Sequence, residues 1–451
     1  MKNQKDLTRG SIVGNLWNMS VPLMLASFVQ ITYSLADMLW LGRLGSEAVA
    51  AVGAAGFFIW ISNSVSLITK IGAEITISQS IGAKDRKKTS DFTEHNINLS
   101  IIIGVIYTTL ILLFSDILIG LFGFEKKVAA DGVEYLKLVT PGIFFIICNN
   151  TFSGLYNGNG DTATPFKIIL IGLILNICLD PILIYGRGGF PELGIGGAAI
   201  ATSFSQLVVF VIFLIKISSS KIVFGKPGFI LLLKREYIKR IFYLGTPAAA
   251  QNASFAVFSL ILATLAASWG PCGVAVQSIG GQVEAVTWMS AAGFSTALGS
   301  FIGQNFGARK YDRILRGYKY TMFIAGSIGL ISGIVFFIFG ATIFSFFVPE
   351  PESIKMGENY MKILAFSQLF MSTEMVTAGA FNGCGRTVPP ALSGILFTGL
   401  RIPMAYYFSS LPQFGINGIW LSITVSSILK GSVLPSWFLA YKHRLRHLLF
   451  S

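Results

Sequence analysis

Runs of about 20 mostly apolar residues recur along this chain, and each is long enough to cross a hydrocarbon layer roughly 30 Å thick. Twelve such runs begin near Leu16, Ala48, Ile97, Tyr135, Phe166, Gly194, Ile238, Gly273, Met322, Tyr360, Ala391 and Gly415. Backbone amides in lipid must be satisfied within the protein, which leaves helices or closed barrels. These runs are too long and continuous for the alternating strands of a barrel, about ten residues each. The fold class expected is therefore all-α integral membrane, with twelve transmembrane helices. Composition agrees, with 53% hydrophobic residues, 12% charged residues and a mean hydropathy of +0.68. Soluble domains carry about a quarter charged residues, so a water-soluble globule is excluded.

A net charge of +13 raises the question of nucleic acid, but the placement of the charge answers it. With the amino terminus inside, the cytoplasmic segments hold 24 Lys and Arg against five in the outer segments. That bias is the positive-inside rule; it orients the chain and places both termini in the cytoplasm, with no nucleic-acid partner expected. The first apolar run has full span length and no A-x-A-like site, so no cleavable leader is expected. Cys148, Cys178, Cys272 and Cys384 are scattered singly and form neither a disulfide framework nor a zinc spacing.

The two halves repeat at one offset. "SQSIGAKDR" from Ser78 answers "GQNFGARKY" from Gly303; "YLKLVTP" from Tyr135 answers "YMKILAF" from Tyr360. "SGLYNGNGDTATP" from Ser153 answers "AGAFNGCGRTVPP" from Ala378, and Pro22 answers Pro247, all at a shift of 225. Near the end of each half, "LGIGG" and "FGING" match at 221. The expected organisation is an N-terminal six-helix lobe over 1–215, a basic cytoplasmic linker over 216–237 and a C-terminal six-helix lobe over 238–451. Six spans is an even number, so both halves run the same way through the membrane, related by a pseudo-two-fold axis along its normal with a cavity between them.

The scaffold repeats but its acids do not: Asp37 aligns with Leu262, Asp180 with Ile402, Glu284 with Ile59 and Glu374 with Asn149. A carboxylate at mid-bilayer costs about 2.5–3.5 kcal/mol on insertion scales, so each acid marks a site or a buried pair. Gln30, Tyr33 and Asp37 share one stripe of span 1; Asn176 and Asp180 are one turn apart on span 5; Thr202 adds a hydroxyl from span 6. Two carboxylates with neutral oxygens can hold a proton or a hard cation, and the oxygen count leaves H⁺ and Na⁺ both open. Gln277, Glu284 and Trp288 share a face of span 8, and Ser367 and Glu374 a face of span 10. An acid beside an aromatic suits an organic cation, although Arg401 or Lys362 could instead pair with these acids. Lys70 and Glu74 read as an intrahelical pair on span 2. With no nucleotide-binding fingerprint, nucleophile–base pair or metal cluster, neither ATP coupling nor enzyme activity is expected, and no cofactor beyond a coupling ion.

The chain resembles the multidrug and toxic compound extrusion (MATE) family along nearly its whole length. The resemblance rests on "SVPLMLASFVQITYSLADMLWLGRLG", "ISQSIGAKD", "GLYNGNGDTATP", "NICLDPILIYG", "LGIGGAAIATSFSQ" and "GQNFGARK", in this order. It implies a V-shaped exporter of two six-helix lobes in the plasma (inner) membrane, driven by inward flow of H⁺ or Na⁺. The family's amino-lobe cation site falls on Asp37, Asn176, Asp180 and Thr202, which would be the metal ligands if the ion is Na⁺, with Tyr33 beside them. The likeness is to the prokaryotic branch with an aspartate pair in helices 1 and 5. Gln251 and Asn252 stand where another prokaryotic pattern has an acid early in span 7. Candidate substrate contacts are Glu284, Glu374, Gln277, Trp288, Asn149 and Gln30, for small organic compounds, mostly cationic, handled by a monomer. A lipid-linked oligosaccharide flippase of the same broad fold would favour a basic cavity. A major-facilitator transporter would not repeat "NG-x-G" after spans 4 and 10.

Overall fold

The computed structural model describes residues 5–219 and 233–450, with side chains for all of these except 34–37 and 447–450. Residues 220–232 of the expected linker and the side chain of Asp37 therefore lie outside the described residues. Within them, the regular structure is helical. The helices are α1 (Ile12–Gly42), α2 (Ser46–Gly82), α3 (Arg86–Gly120), α4 (Lys126–Gly158), α5 (Ala163–Tyr185) and α6 (Gly194–Ser219). After the linker come α7 (Arg235–Ala267), α8 (Pro271–Gly307), α9 (Tyr311–Ser345), α10 (Pro351–Ala365), α11 (Gln368–Gly383), α12 (Val388–Gly399), α13 (Arg401–Ser410) and α14 (Asn417–Phe450).

Ten of these, α1–α9 and α14, are each long and apolar enough to cross a membrane. The runs beginning near Tyr360 and Ala391 are built from two shorter helices each, α10 with α11 and α12 with α13. The first break follows from Ser367, whose hydroxyl donates to Leu364 O at 2.7 Å while its N–H donates to the same carbonyl at 2.9 Å, tightening the turn. The second follows from Pro403, which has no N–H for the carbonyl of Gly399, itself a weak helix former. In α5 the corresponding Pro181 follows Ile177 rather than glycine, and the helix runs through.

Contacts divide the chain into two compact units, Leu25–Ala249 in one and Asp6–Met24 with Ala250–Ser451 in the other. The division falls inside α1 and α7, so each of these helices belongs to both units. Leu16 and Met19 of α1 are buried in a cluster with Phe294, Phe301 and Phe381 of the C-terminal unit. The first half of α7 packs in the N-terminal unit, where the segment before it is held by Lys234 N–H donating to His95 Nε2 at 3.0 Å. The segment before α1 is held by Leu7 N–H donating to Gln304 Oε1 at 2.9 Å and by Arg313 Nη2 donating to Leu7 O at 3.0 Å.

Inside each unit, one contact recurs at the 225 shift. A side chain on Gly154 of α4 would collide with the Lys70 carbonyl of α2, and one on Gly158 would sit 2.7 Å from Glu74 O. The counterparts are Gly379 of α11, where a side chain would collide with Ser295 O of α8, and Gly383, where one would sit 2.5 Å from Gly299 O. This small-xxx-small arrangement lets backbones touch where lipid supplies no hydrophobic drive for helix association. The last glycines of the repeated "NG-x-G" turns, Gly160 (φ 81°) and Gly385 (φ 72°), hold the left-handed conformation that glycine adopts without strain. We expect Gly154→Ala and Gly379→Ala each to destabilise the detergent-purified protein by about 1–3 kcal/mol through overpacking. Gly53→Ala, with open space around its Cα, should not lower the melting temperature, and equal behaviour of all three variants would refute the contact's role.

Candidate functional site

The N-terminal unit encloses a cavity of about 360 Å³ whose walls come from α1, α2, α4, α5 and α6. Five residues singled out in the sequence line it: Gln30, Tyr33, Asn149, Asn176 and Thr202. Helical periodicity accounts for the grouping, since Gln30 and Tyr33 lie one turn apart on α1. Tyr33 Oη and Thr202 Oγ1 are 3.0 Å apart. Asn176 Nδ2 donates to Thr202 Oγ1 at 3.4 Å and to Asp180 Oδ1 at 3.3 Å. Asp180 is fully buried, so Asn176 links the cavity to a carboxylate sealed behind it. Asn176 Oδ1, itself buried, has no hydrogen-bond partner among the described residues and is a spare acceptor at this point. Asp37 belongs to α1 by its backbone; its side chain lies outside the described residues.

The rest of the wall is amide-rich and neutral. Asn149 Nδ2 donates to Gln206 O at 3.1 Å and to Gln206 Oε1 at 3.0 Å. Asn150 Nδ2 donates to Asn63 Oδ1 at 3.0 Å and to Ser66 Oγ at 2.9 Å, joining α4 to α2. Trp60 and Tyr135 supply aromatic surface. Asn63, Asn150, Gln206 and Trp60 did not stand out in sequence, although lone amides in apolar spans were the available signal.

In the C-terminal unit the acids have protein partners. Gln368 Nε2 donates to Glu284 Oε1 at 2.8 Å. Glu374 Oε2 lies 3.9 Å from Lys430 Nζ, both side chains being buried. Arg401 is buried too, donating from Nε to Ser426 Oγ at 2.6 Å and from Nη2 to Ser427 Oγ at 3.2 Å, with Glu284 and Glu374 within range of its charge. Lys362 pairs instead with Glu358, one turn back, at 2.6 Å. Trp288 is 40% exposed, and Gln277 Oε1 is buried with no hydrogen-bond partner among the described residues. Lys430 escaped notice in sequence, yet it is a lone cation in the apolar stretch "SILKGS".

A bundle of long apolar helices with a polar cavity and a buried carboxylate in its first half is the architecture of a polytopic membrane protein that handles small solutes. The family model described as MatE matches the chain twice, over residues 22–182 and 247–407. The chain belongs to the MatE (multidrug and toxic compound extrusion) family. The two matches stand 225 residues apart, the shift read from the motifs. Similar proteins include a "Probable multidrug resistance protein NorM" of Thermotoga maritima, 29% identical over 96% of this chain and 94% of that one. Another is an "FAD transporter" of Shewanella oneidensis, 24% identical over 98% and 97%. Among solved structures, an outward-facing multidrug resistance MATE transporter superposes with a TM-score of 0.91 at 26% identity, covering 99% of both chains.

Removing one partner of a buried ion pair leaves an uncompensated charge and costs about 3–5 kcal/mol, whereas removing both costs far less. Glu374→Gln should therefore lower the melting temperature of the purified protein sharply. Glu374→Gln combined with Lys430→Met should recover most of the loss. A double variant no more stable than the single one would show that the pair does not matter to stability.

Proposed function

We propose that this protein is a secondary active efflux antiporter of the plasma membrane. It exports small organic compounds that carry a cationic centre in exchange for an inward-moving cation. Relatives bearing multidrug resistance names across most of the chain support this reading. The observation that carries it is the shared cavity: Gln30 and Asn149, candidate substrate contacts, line the same space as Tyr33, Asn176 and Thr202, candidate cation contacts. Substrate and coupling ion then compete for one site, which is the condition for exchange.

In this cycle, substrate reaches the cavity from the cytoplasm or the inner leaflet, with both chain termini on the cytoplasmic side. Asp37 and Asp180 take up the ion on the outer side and lower the site's affinity for cationic cargo, and the loaded protein returns. H⁺ is the favoured ion. A buried carboxylate accepts a proton with no demand on coordination geometry, and an amide such as Asn176 can hydrogen-bond the neutral form. The oxygens of Asp180, Thr202 and Asn176 would equally suit Na⁺ as hard ligands, and that is the alternative. The protein works as a monomer without a bound cofactor.

In proteoliposomes, dissipating the pH gradient should stop efflux, and removing external Na⁺ at fixed pH should leave it intact. Restoration by a Na⁺ pulse at constant pH would make the site a sodium site. Asp180→Asn should reduce efflux to background while insertion survives, because a buried charge has been removed. Retained resistance in that variant at matched expression would refute the assignment. A cationic dye such as ethidium should be exported in preference to fluorescein, an anion without a cationic centre; the reverse order would overturn the substrate class.

A further inference from the structure

The charged residues of the C-terminal unit stand at the counterparts of the N-terminal unit's cavity wall. At the 225 shift, Glu284, Trp288 and Glu374 correspond to Ile59, Asn63 and Asn149. At the 221 shift of the last span, Lys430 corresponds to Val209. All four N-terminal counterparts line the cavity. The correspondence is also one of packing, because α8 meets α11 through the same pair of glycines by which α2 meets α4. The same location in the repeat is thus neutral in one unit and carries both signs of charge in the other.

Its hydrogen-bonding capacity is not spent. Lys430 and Arg401 are 9% and 8% exposed, yet among the described residues neither has a carboxylate at hydrogen-bond distance: Lys430 lies 3.9 Å from Glu374, and Arg401 donates to two serine hydroxyls. On the other side, Gln277 Oε1, Gln368 Oε1 and Ser372 Oγ are buried with no partner among the described residues. Buried polar atoms gain by being satisfied, so these open donors and acceptors can receive the polar groups of a guest. Trp288 is exposed and Glu284 half-buried, while Glu374, Arg401 and Lys430 are buried.

We propose that Glu284, Trp288, Glu374, Arg401 and Lys430 form a second substrate subsite, which takes a compound bearing both a delocalised cation and a carboxylate. The carboxylate lies between Lys430 and Arg401, displacing Glu374 from Lys430; the cationic ring stacks on Trp288 beside Glu284. The subsite gives the exporter a preference for zwitterions over cations of the same shape. This selectivity rests on the efflux reading, but binding can be measured apart from transport.

Rhodamine B, a zwitterion, and its ethyl ester, a cation with the same ring system, are the probes. Titrated against the purified full-length protein by fluorescence anisotropy, rhodamine B should bind at least tenfold more tightly than the ester. Lys430→Met should erase that preference. So should the charge-balanced variant Glu374→Gln with Lys430→Met, which guards against misfolding of the single one. Equal binding of the two dyes by the parent protein, or an unchanged preference in both variants, overturns the proposal. Cellular export of the ester but not of rhodamine B overturns it while leaving efflux standing. Export of neither dye, with the binding preference intact, supports the subsite and counts against the efflux reading.

Discussion

The contact between paired backbones, α4 on α2 and α11 on α8, is the constraint on which much of the rest depends. Lipid competes with any apolar side chain for a helix surface, so helices associate where atoms can approach more closely than lipid allows. Gly154 and Gly158 give α4 that approach. Asn150 is one turn before Gly154 on the same stripe, and the approach brings it against Asn63 and Ser66 of α2. Polar side chains that would be costly facing lipid are thereby turned inward and paired. The cavity is what remains where α1, α5 and α6 complete the wall.

The two units solve the burial of charge differently. In the N-terminal unit a fully buried carboxylate is tied to the cavity through one asparagine. An amide suits that position because it donates to the carboxylate while keeping its own oxygen for another partner. In the C-terminal unit acids and bases occur together, with an amide bonded to one acid and serine hydroxyls to one base. The first arrangement sets a carboxylate against neutral groups. The second holds its net charge near zero.

Much of the scaffold was legible in sequence because the bilayer imposes a length and a polarity that few residues can violate. The spans and their repeat follow from hydropathy and motif spacing, and the alignment of Asn176 with Asp180 follows from helical periodicity, whereas packing is what brings Tyr33 and Thr202 to them. The interruptions at Ser367 and Leu400 were not legible, because each depends on a local competition for one carbonyl that leaves hydropathy unchanged. Asn63, Asn150 and Gln206 give little signal for a related reason: neutral amides leave charge unchanged and the apolar average nearly so. Lys430 is a lone cation in an apolar stretch, and only packing brings it beside Glu374.

The sharing of α1 and α7 between units has a consequence for synthesis. Leu16 and Met19 are made well before their partners, which include Phe294, Phe301 and Phe381. Until those have been made, the front of α1 lacks these partners, and the C-terminal unit cannot close this cluster without it. The N-terminal unit likewise waits for the front half of α7. Neither unit is complete in a nascent chain that stops at the linker, so two halves made as separate polypeptides would have to exchange these helix segments before either could finish folding.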